Sequence, residues 1–282
     1  MRRLSFLRRL GELRRLAKAA AWKRAGRVPQ SGWAGAAKWA AIEANIRTPP
    51  GGRYGYHDAG LDERVVEYPW LFERMAALAP EGPVLDAGSV LNYERVLRAW
   101  HEEQLPAVSI VTLAYEGHAF PSDRVRYEFA DLRELPYRSG WFSLVLSLST
   151  LEHVGLDNTI YGSAAGAAPR SDPGTEAGRA LDEIARVTRS GGRLLVSVPY
   201  GIRSNRGWFR IFDADELHHL ISRPGWKDRT VRYFRARREG WRECEASDAK
   251  DAGYNEPRGG QRTAPPFVAA AEAVALIEMT RE

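Results

Sequence analysis

Residues 83–92 read Pro-Val-Leu-Asp-Ala-Gly-Ser-Val-Leu-Asn, and the reading of this stretch decides the fold. Pro83 to Ala87 is a short apolar strand that ends at Gly88, a residue able to enter turn conformations closed to others. Asn92 belongs to the types favoured at a helix N-cap, and Glu94 falls in the first turn, where its charge suits the helix dipole. Arg95, third after Asn92, rules out a capping box. Strand, glycine turn and helix in this order open a βα unit. The free N–H groups of such a helix start face the turn and suit an anionic group.

Downstream, the same texture repeats. Val108–Ala114, Arg126–Ala130 and Phe142–Ser149 are apolar runs of strand length, the last fit for the middle of a sheet. Ala180, Ile184 and Val187 mark a helix that stops at Gly191-Gly192, before a strand over Arg193–Pro199. Asp213 and Glu216 open a helix carrying Leu217, Leu220 and Ile221. Val231–Phe234 and Ala273–Met279 close the set. Alternating strands and helices predict an α/β domain with a mostly parallel sheet over residues 61–282. Residues 155–178 form a Gly-, Ala-, Ser- and Pro-rich loop after a central strand, where open α/β sheets bind ligands, and so read as a lid. Residues 245–266 are a second long polar loop.

Upstream, residues 1–60 form a separate leader. Residues 26–60 include Pro49-Pro50-Gly51-Gly52 and read as a linker with a short helix near Trp39–Asn45. Residues 1–27 carry ten Arg and Lys against Glu12 alone, a formal +9, so the remaining 255 residues of this +5 chain sum to −4. Phe6, Leu10, Leu13 and Ala17 recur on one face of a basic amphipathic helix. Such a helix can lie on an anionic membrane, dock on protein or anchor nucleic acid. The acidic body argues against nucleic acid as the partner. Arginines interrupt every candidate apolar core of a secretory signal. No uncharged apolar run reaches the ~18 residues of a membrane span. With one thiol, Cys244, these features point to a cytoplasmic protein, with residues 1–27 placed to touch the inner face of the membrane.

Several chemistries are excluded. A chain with a single cysteine has no internal disulfide and no cysteine-based zinc site. No G-x-G occurs, so the dinucleotide fingerprint fails, and neither a phosphate-loop motif nor a G-x-S-x-G elbow is present. His218 and His219 are adjacent on a helix and diverge by about 100°, a poor metal pair. Asp86 at the first strand's end could bind an ammonium or merely fix the turn through loop amides.

Four segments taken together are more specific. Residues 84–92 read V-L-D-A-G-S-V-L-N; Asp131 to Tyr137 follow the third strand; Leu151-Glu152-His153-Val154 follow the fourth; Arg186 to Leu194 precede the fifth. In order and spacing this set resembles the class I S-adenosylmethionine-dependent methyltransferases, specifically the type-11 methyltransferase domain, over residues 82–200. The resemblance implies a Rossmann-like seven-stranded sheet with its last strand antiparallel. It implies S-adenosyl-L-methionine as cofactor, its methionine end at Asp86, Gly88 and Ser89, its purine at Asp131 and Leu132, and Ser149 at the end of the fourth strand beside it. Three features depart from the family. Val90 and Asn92 replace two glycines of the turn. Thr112 stands where an acidic residue usually binds the ribose, leaving Glu116 as the nearest carboxylate. Phe142-Ser143 replaces a Phe-Asp pair.

On this resemblance the activity is methyl transfer, to a hydroxyl of a small molecule or a glycan precursor. His153 is the candidate general base, its ordinary pKa lying near neutrality at a strand's carboxyl end; the alternative is that it organises the cleft floor. Tyr161, Tyr200, Arg203 and Trp208, with Arg210, could form an acceptor wall or simply pack and solvate. The altered turn also allows a non-catalytic relative that docks a membrane or partner through residues 1–27.

Overall fold

All residues of Phe142–Leu148 are buried, so this apolar run lies inside a sheet covered on both faces. The computed structural model describes residues 17, 33–47, 60–159, 173–237, 240–255 and 270–282. Helices α1 (Trp33–Arg47) and α2 (Arg64–Leu78) precede β1 (Val84–Ala87), α3 (Glu94–Glu102), β2 (Val108–Thr112), β3 (Val125–Phe129) and β4 (Phe142–Leu148). A 3-10 turn over Leu151–His153 follows, then α4 (Pro173–Val187), β5 (Thr188–Pro199), β6 (Ser204–Asn205), β7 (Arg210–Ile211) and α5 (Ala214–Ile221). The remainder is β8 (Trp226–Arg237), β9 (Gly240–Cys244), α6 (Ala246–Ala249), β10 (Tyr254–Asn255), β11 (Ala270–Ala271) and β12 (Ala273–Arg281).

The main sheet has eight strands in the order β3-β2-β1-β4-β5-β12-β8-β9. β3, β2, β1, β4 and β5 run parallel, whereas β12 is antiparallel to both of its neighbours. The expected seven strands with an antiparallel closing strand are present. β9 adds an eighth as an antiparallel edge on β8. The strand order reverses between β1 and β4, and their carboxyl ends form the crevice where such sheets take ligands.

Alternation along β1 sends Val84 to one face and Leu85 and Ala87 to the other. The first face is covered by α1, α2 and α3 through Ile42, Leu71, Met75, Val96 and Trp100. The second is covered by α4 and α5 through Ala180, Leu181, Ile184, Leu217 and Leu220. Helix α1 is longer than the expected Trp39–Asn45 and packs on the domain. Ile42 is buried, Lys38 pairs with Asp62 at 2.8 Å, Arg95 pairs with Glu43 at 2.9 Å, and the Trp39 ring lies 5.9 Å from Tyr68.

Some expected boundaries move. Helix α3 starts at Glu94 with Tyr93 at the N-cap, and Asn92 does not cap it because its amide serves elsewhere. The helix before β5 ends at Val187, and Gly191-Gly192 lie within β5 rather than at a helix stop. Helix α4 takes in residues 173–178 of the expected lid loop; residues 160–172 of that loop lie outside the described residues, as does nearly all of the basic segment 1–27. Asp213 caps α5 as expected, accepting from the Glu216 N–H at 2.8 Å. Among the described residues, no helix is long and apolar enough to cross a membrane.

Candidate active site

A cavity of about 670 Å³ opens at the carboxyl ends of β1, β2 and β4. Gly88, Ser89, Glu116, Asp131, Leu132, Ser149, His153 and Trp208 all line it, so most residues chosen from the sequence meet in one place. Val90 also lines it, but its side chain is buried in the core beneath and leaves the hollow open.

The turn after β1 is built from inside. Asp86 is fully buried and accepts the backbone N–H groups of Val90 (3.2 Å) and Leu91 (2.7 Å). Burial pushes its carboxyl up to about 7, against the lowering effect of those two bonds. Asp86 is not on the cavity wall; it shapes the turn. Gly88 has φ of +131°, and a Cβ there would stand 2.1 Å from Thr150 Oγ1. Ser89 (φ 62°) and Ser149 (φ 42°) are held in the left-handed region on either side of the crevice, a conformation non-glycine residues keep only when their surroundings impose it.

The chain after β2 bends back and brings Glu116 to the strand end. Its Oε1 accepts from Ser89 Oγ and from Thr112 Oγ1 (3.2 Å), and its Oε2 accepts from Asn92 Nδ2 at 3.1 Å. Tyr127 donates to Asn92 Oδ1 at 2.9 Å, fixing the amide's orientation. Asn92 and Thr112, two of the departures from the family pattern, thus hold one carboxylate between them. A carboxylate has about four acceptor sites, so Glu116 retains capacity for a further donor.

Asp131 and Leu132 follow β3 on the opposite wall. Arg133 grips Asp131 in a fork, Nε to Oδ1 at 2.9 Å and Nη2 to Oδ2 at 2.6 Å, and also reaches buried Glu176 of α4. Burial alone would raise the Asp131 carboxyl, but the bonds and charge of Arg133 outweigh it and hold it below its usual range.

Ser149 belongs to a polar knot under the crevice. Its Oγ and that of Ser197 each donate to Glu67 Oε1 at 2.5 Å, and Arg64 Nη1 donates to Glu67 Oε2 at 2.6 Å. Glu63, Arg64 and Glu152 reach the cavity wall beside it. Glu152 is 2% exposed, and burial raises its carboxyl well above the usual range. Burial, with Asp62 and Glu67 nearby, pushes the Glu63 carboxyl up as well. Sequence reasoning missed Glu63, Arg64 and Glu67. The available signal was a cluster of charges at the head of an otherwise apolar run.

His153 is held by a hydrogen bond of 2.8 Å between Nδ1 and the Trp208 carbonyl, and its ring stacks on Trp208 with centroids 5.5 Å apart. The carbonyl can only accept, so Nδ1 donates and is the protonated nitrogen. Nε2 lies 4.0 Å from Glu152 Oε1. Burial lowers the imidazole to about 4, so it is neutral at neutral pH. Phe209 and Tyr254, not chosen from the sequence, extend the aromatic wall, with their rings 4.4 Å apart. Tyr200 is buried against Tyr233, and exposed Arg203 pairs with Glu216; neither lines the cavity. Arg210 is buried and donates to the Val154 carbonyl, away from the wall. Tyr161 lies outside the described residues.

Residues 106–196 match the family model described as a methyltransferase domain, in agreement with the resemblance read from the motifs. No curated protein sequence matches the chain. Solved structures similar to it include a Burkholderia thailandensis 1,6-didemethyltoxoflavin-N1-methyltransferase with bound 1,6-didemethyltoxoflavin and S-adenosylhomocysteine. The identity is 17%, the match covers 74% of this chain and 75% of that one, and the TM-score is 0.42. The YcgJ protein of Bacillus subtilis is similar at 14% identity, covering 74% and 97% of the two chains, with a TM-score of 0.43. A Haloferax volcanii putative methyltransferase, solved with the Trm112 methyltransferase activator, matches at 13% identity over 74% and 89%, with a TM-score of 0.44.

Proposed function

We propose that the chain is an S-adenosylmethionine-dependent methyltransferase acting on a small molecule. The observation that carries this reading is the joining of Gly88, Glu116 and Asp131 around one cavity at the sheet's switch point. The residues fit the cofactor. Gly88 and Ser89 line the end of the cavity that would take an amino-acid tail, and only glycine lets the turn there pass against Thr150. Glu116 offers its carboxylate to ribose hydroxyls in place of an acid at position 112. Leu132 and the anchored Asp131 would hold the purine. When bound, the cofactor supplies a methyl group on a sulfonium sulfur, an electrophile that needs no further activation.

The protein's remaining tasks are positioning and proton handling. His153, its ring fixed by the Trp208 carbonyl and kept neutral by burial, can orient a protic acceptor. Trp208, Phe209 and Tyr254 shield that end from water and give a flat acceptor a surface to lie on. Calorimetry tests the reading. The wild type binds S-adenosylmethionine, and Asp131→Ala and Gly88→Val each weaken binding at least tenfold while circular dichroism reports a folded chain. Unchanged affinity in both variants would move the site elsewhere. No binding by the wild type would leave a non-catalytic scaffold.

A further inference from the structure

Two residues of the cavity wall, Glu152 next to His153 and Glu63, each hold a carboxyl oxygen that nothing among the described residues satisfies. Glu152 Oε2 and Glu63 Oε2 are inaccessible and have no hydrogen-bond partner, although both residues line the cavity. A buried acceptor without a donor loses its hydration for no return, and a ligand that brings the donor recovers that loss. The charge balance states what kind of donor fits. In the empty site burial favours the protonated forms of Glu63 and Glu152, and Arg64 is already engaged by Glu67 at 2.6 Å, so a cation placed between the two carboxyls would favour their ionised forms. His153 contributes no positive charge at neutral pH because burial holds it near 4. The opposite side is aromatic. Trp208 lies 4.4 Å from Phe209 and 6.4 Å from Tyr254 between ring centroids, and indole and phenol faces attract cations. A hydroxyl would bring one proton and no charge; an ammonium brings up to three donors and a charge that favours carboxylates over carboxylic acids beside it.

We propose that the acceptor is a primary or secondary amine, bound as its ammonium between Glu63 and Glu152 with its carbon skeleton against Trp208 and Tyr254. This rests on the methyltransferase reading and names its substrate class, in place of the hydroxyl expected from the sequence. One ammonium proton passes to the Glu152 carboxylate and frees the nitrogen lone pair. The nitrogen–carbon bond to the methyl group then forms as the carbon–sulfur bond breaks, its electron pair staying on sulfur. The product leaves as the methylated ammonium, and the proton on Glu152 returns to solvent. The buried setting that raises the Glu152 carboxyl brings its proton affinity closer to that of an amine held beside it.

The test is calorimetry on protein saturated with S-adenosylhomocysteine, using phenethylamine and 2-phenylethanol as a matched pair of probes. Wild-type protein binds the amine at least tenfold more tightly than the alcohol. Glu152→Gln reduces that preference below threefold and changes S-adenosylhomocysteine affinity by less than twofold. Glu63→Gln lowers the preference in the same direction and stands in if the first variant does not fold. Absence of amine binding, an equal or stronger grip on the alcohol, or an unchanged preference in both variants overturns the proposal. So does a loss of S-adenosylhomocysteine affinity in Glu152→Gln, which would assign the carboxyls to the cofactor's own ammonium. A wild type that does not bind S-adenosylhomocysteine removes the methyltransferase reading itself, a result distinct from all of these.

Discussion

Asn92 stands where the family has a glycine, and its side chain points into a clamp rather than into the hollow. It donates to Glu116 and accepts from Tyr127, and Glu116 is thereby held at the end of β2. Restoring the family residue should therefore harm the site. Asn92→Gly is expected to weaken S-adenosylmethionine binding about tenfold, because a hydrogen bond to a charged group contributes roughly 1.5–3 kcal/mol. Titration calorimetry checks this, and tighter binding by Asn92→Gly would show that the side chain obstructs the ligand. Spacing along the chain identified Glu116 as the nearest carboxylate to Thr112, but its engagement depends on a loop reversal and on an amide from another element. Neither is written in local sequence.

At the scale of elements, α2 joins the sheet through charge as well as apolar contact. Glu67 is fully buried and takes Arg64, Ser149 and Ser197. Glu67→Ala would leave a guanidinium and two hydroxyls unpaired, and breaking a buried pair from one side costs about 3–5 kcal/mol. Urea denaturation should show a loss of that size; a loss under 1 kcal/mol would mean that apolar packing alone seats the helix. This same helix was the element least visible in the sequence. It is buried around most of its girth, so no 3.6-residue stripe stands out, and Pro69 inside it reads as a helix breaker. By contrast the strands and the Asp213 cap were legible, because apolar runs bounded by glycine and a capping carboxylate are local signals. The cavity's glycine, serines and His153 were legible as motif positions. Tyr200 and Arg203 were not sortable, since nearness in sequence to a strand end does not say which way a side chain turns.

Over the whole molecule, buried titratable groups pull stability in opposite directions with pH. His153 is held near 4 in the folded chain against an ordinary value of 6.5. As pH falls from 6.5 toward 4, the unfolded chain takes up a proton that the folded chain refuses, and stability drops by up to about 3 kcal/mol. Asp86 runs the other way. Raised from 3.8 to about 7, it keeps its proton when folded and loses it when unfolded, so its contribution fades as pH rises through that window. Glu63 and Glu152 act in the same sense as Asp86. The imidazole therefore offsets part of the carboxyls' loss of stability with rising pH. In His153→Gln, stability should fall more steeply between pH 4.5 and 7 than in the wild type, as read from denaturation midpoints across that range. Parallel profiles for the two proteins would show that the imidazole is charged in the folded state. The sheet order carries a consequence for how the molecule is made. β12 is wedged between β5 and β8, so the β8–β9 hairpin can join the sheet only after residues 273–281 have been synthesised. A nascent chain on the ribosome can assemble the ligand-bearing half early, yet it keeps an open β5 edge until β12 slots in.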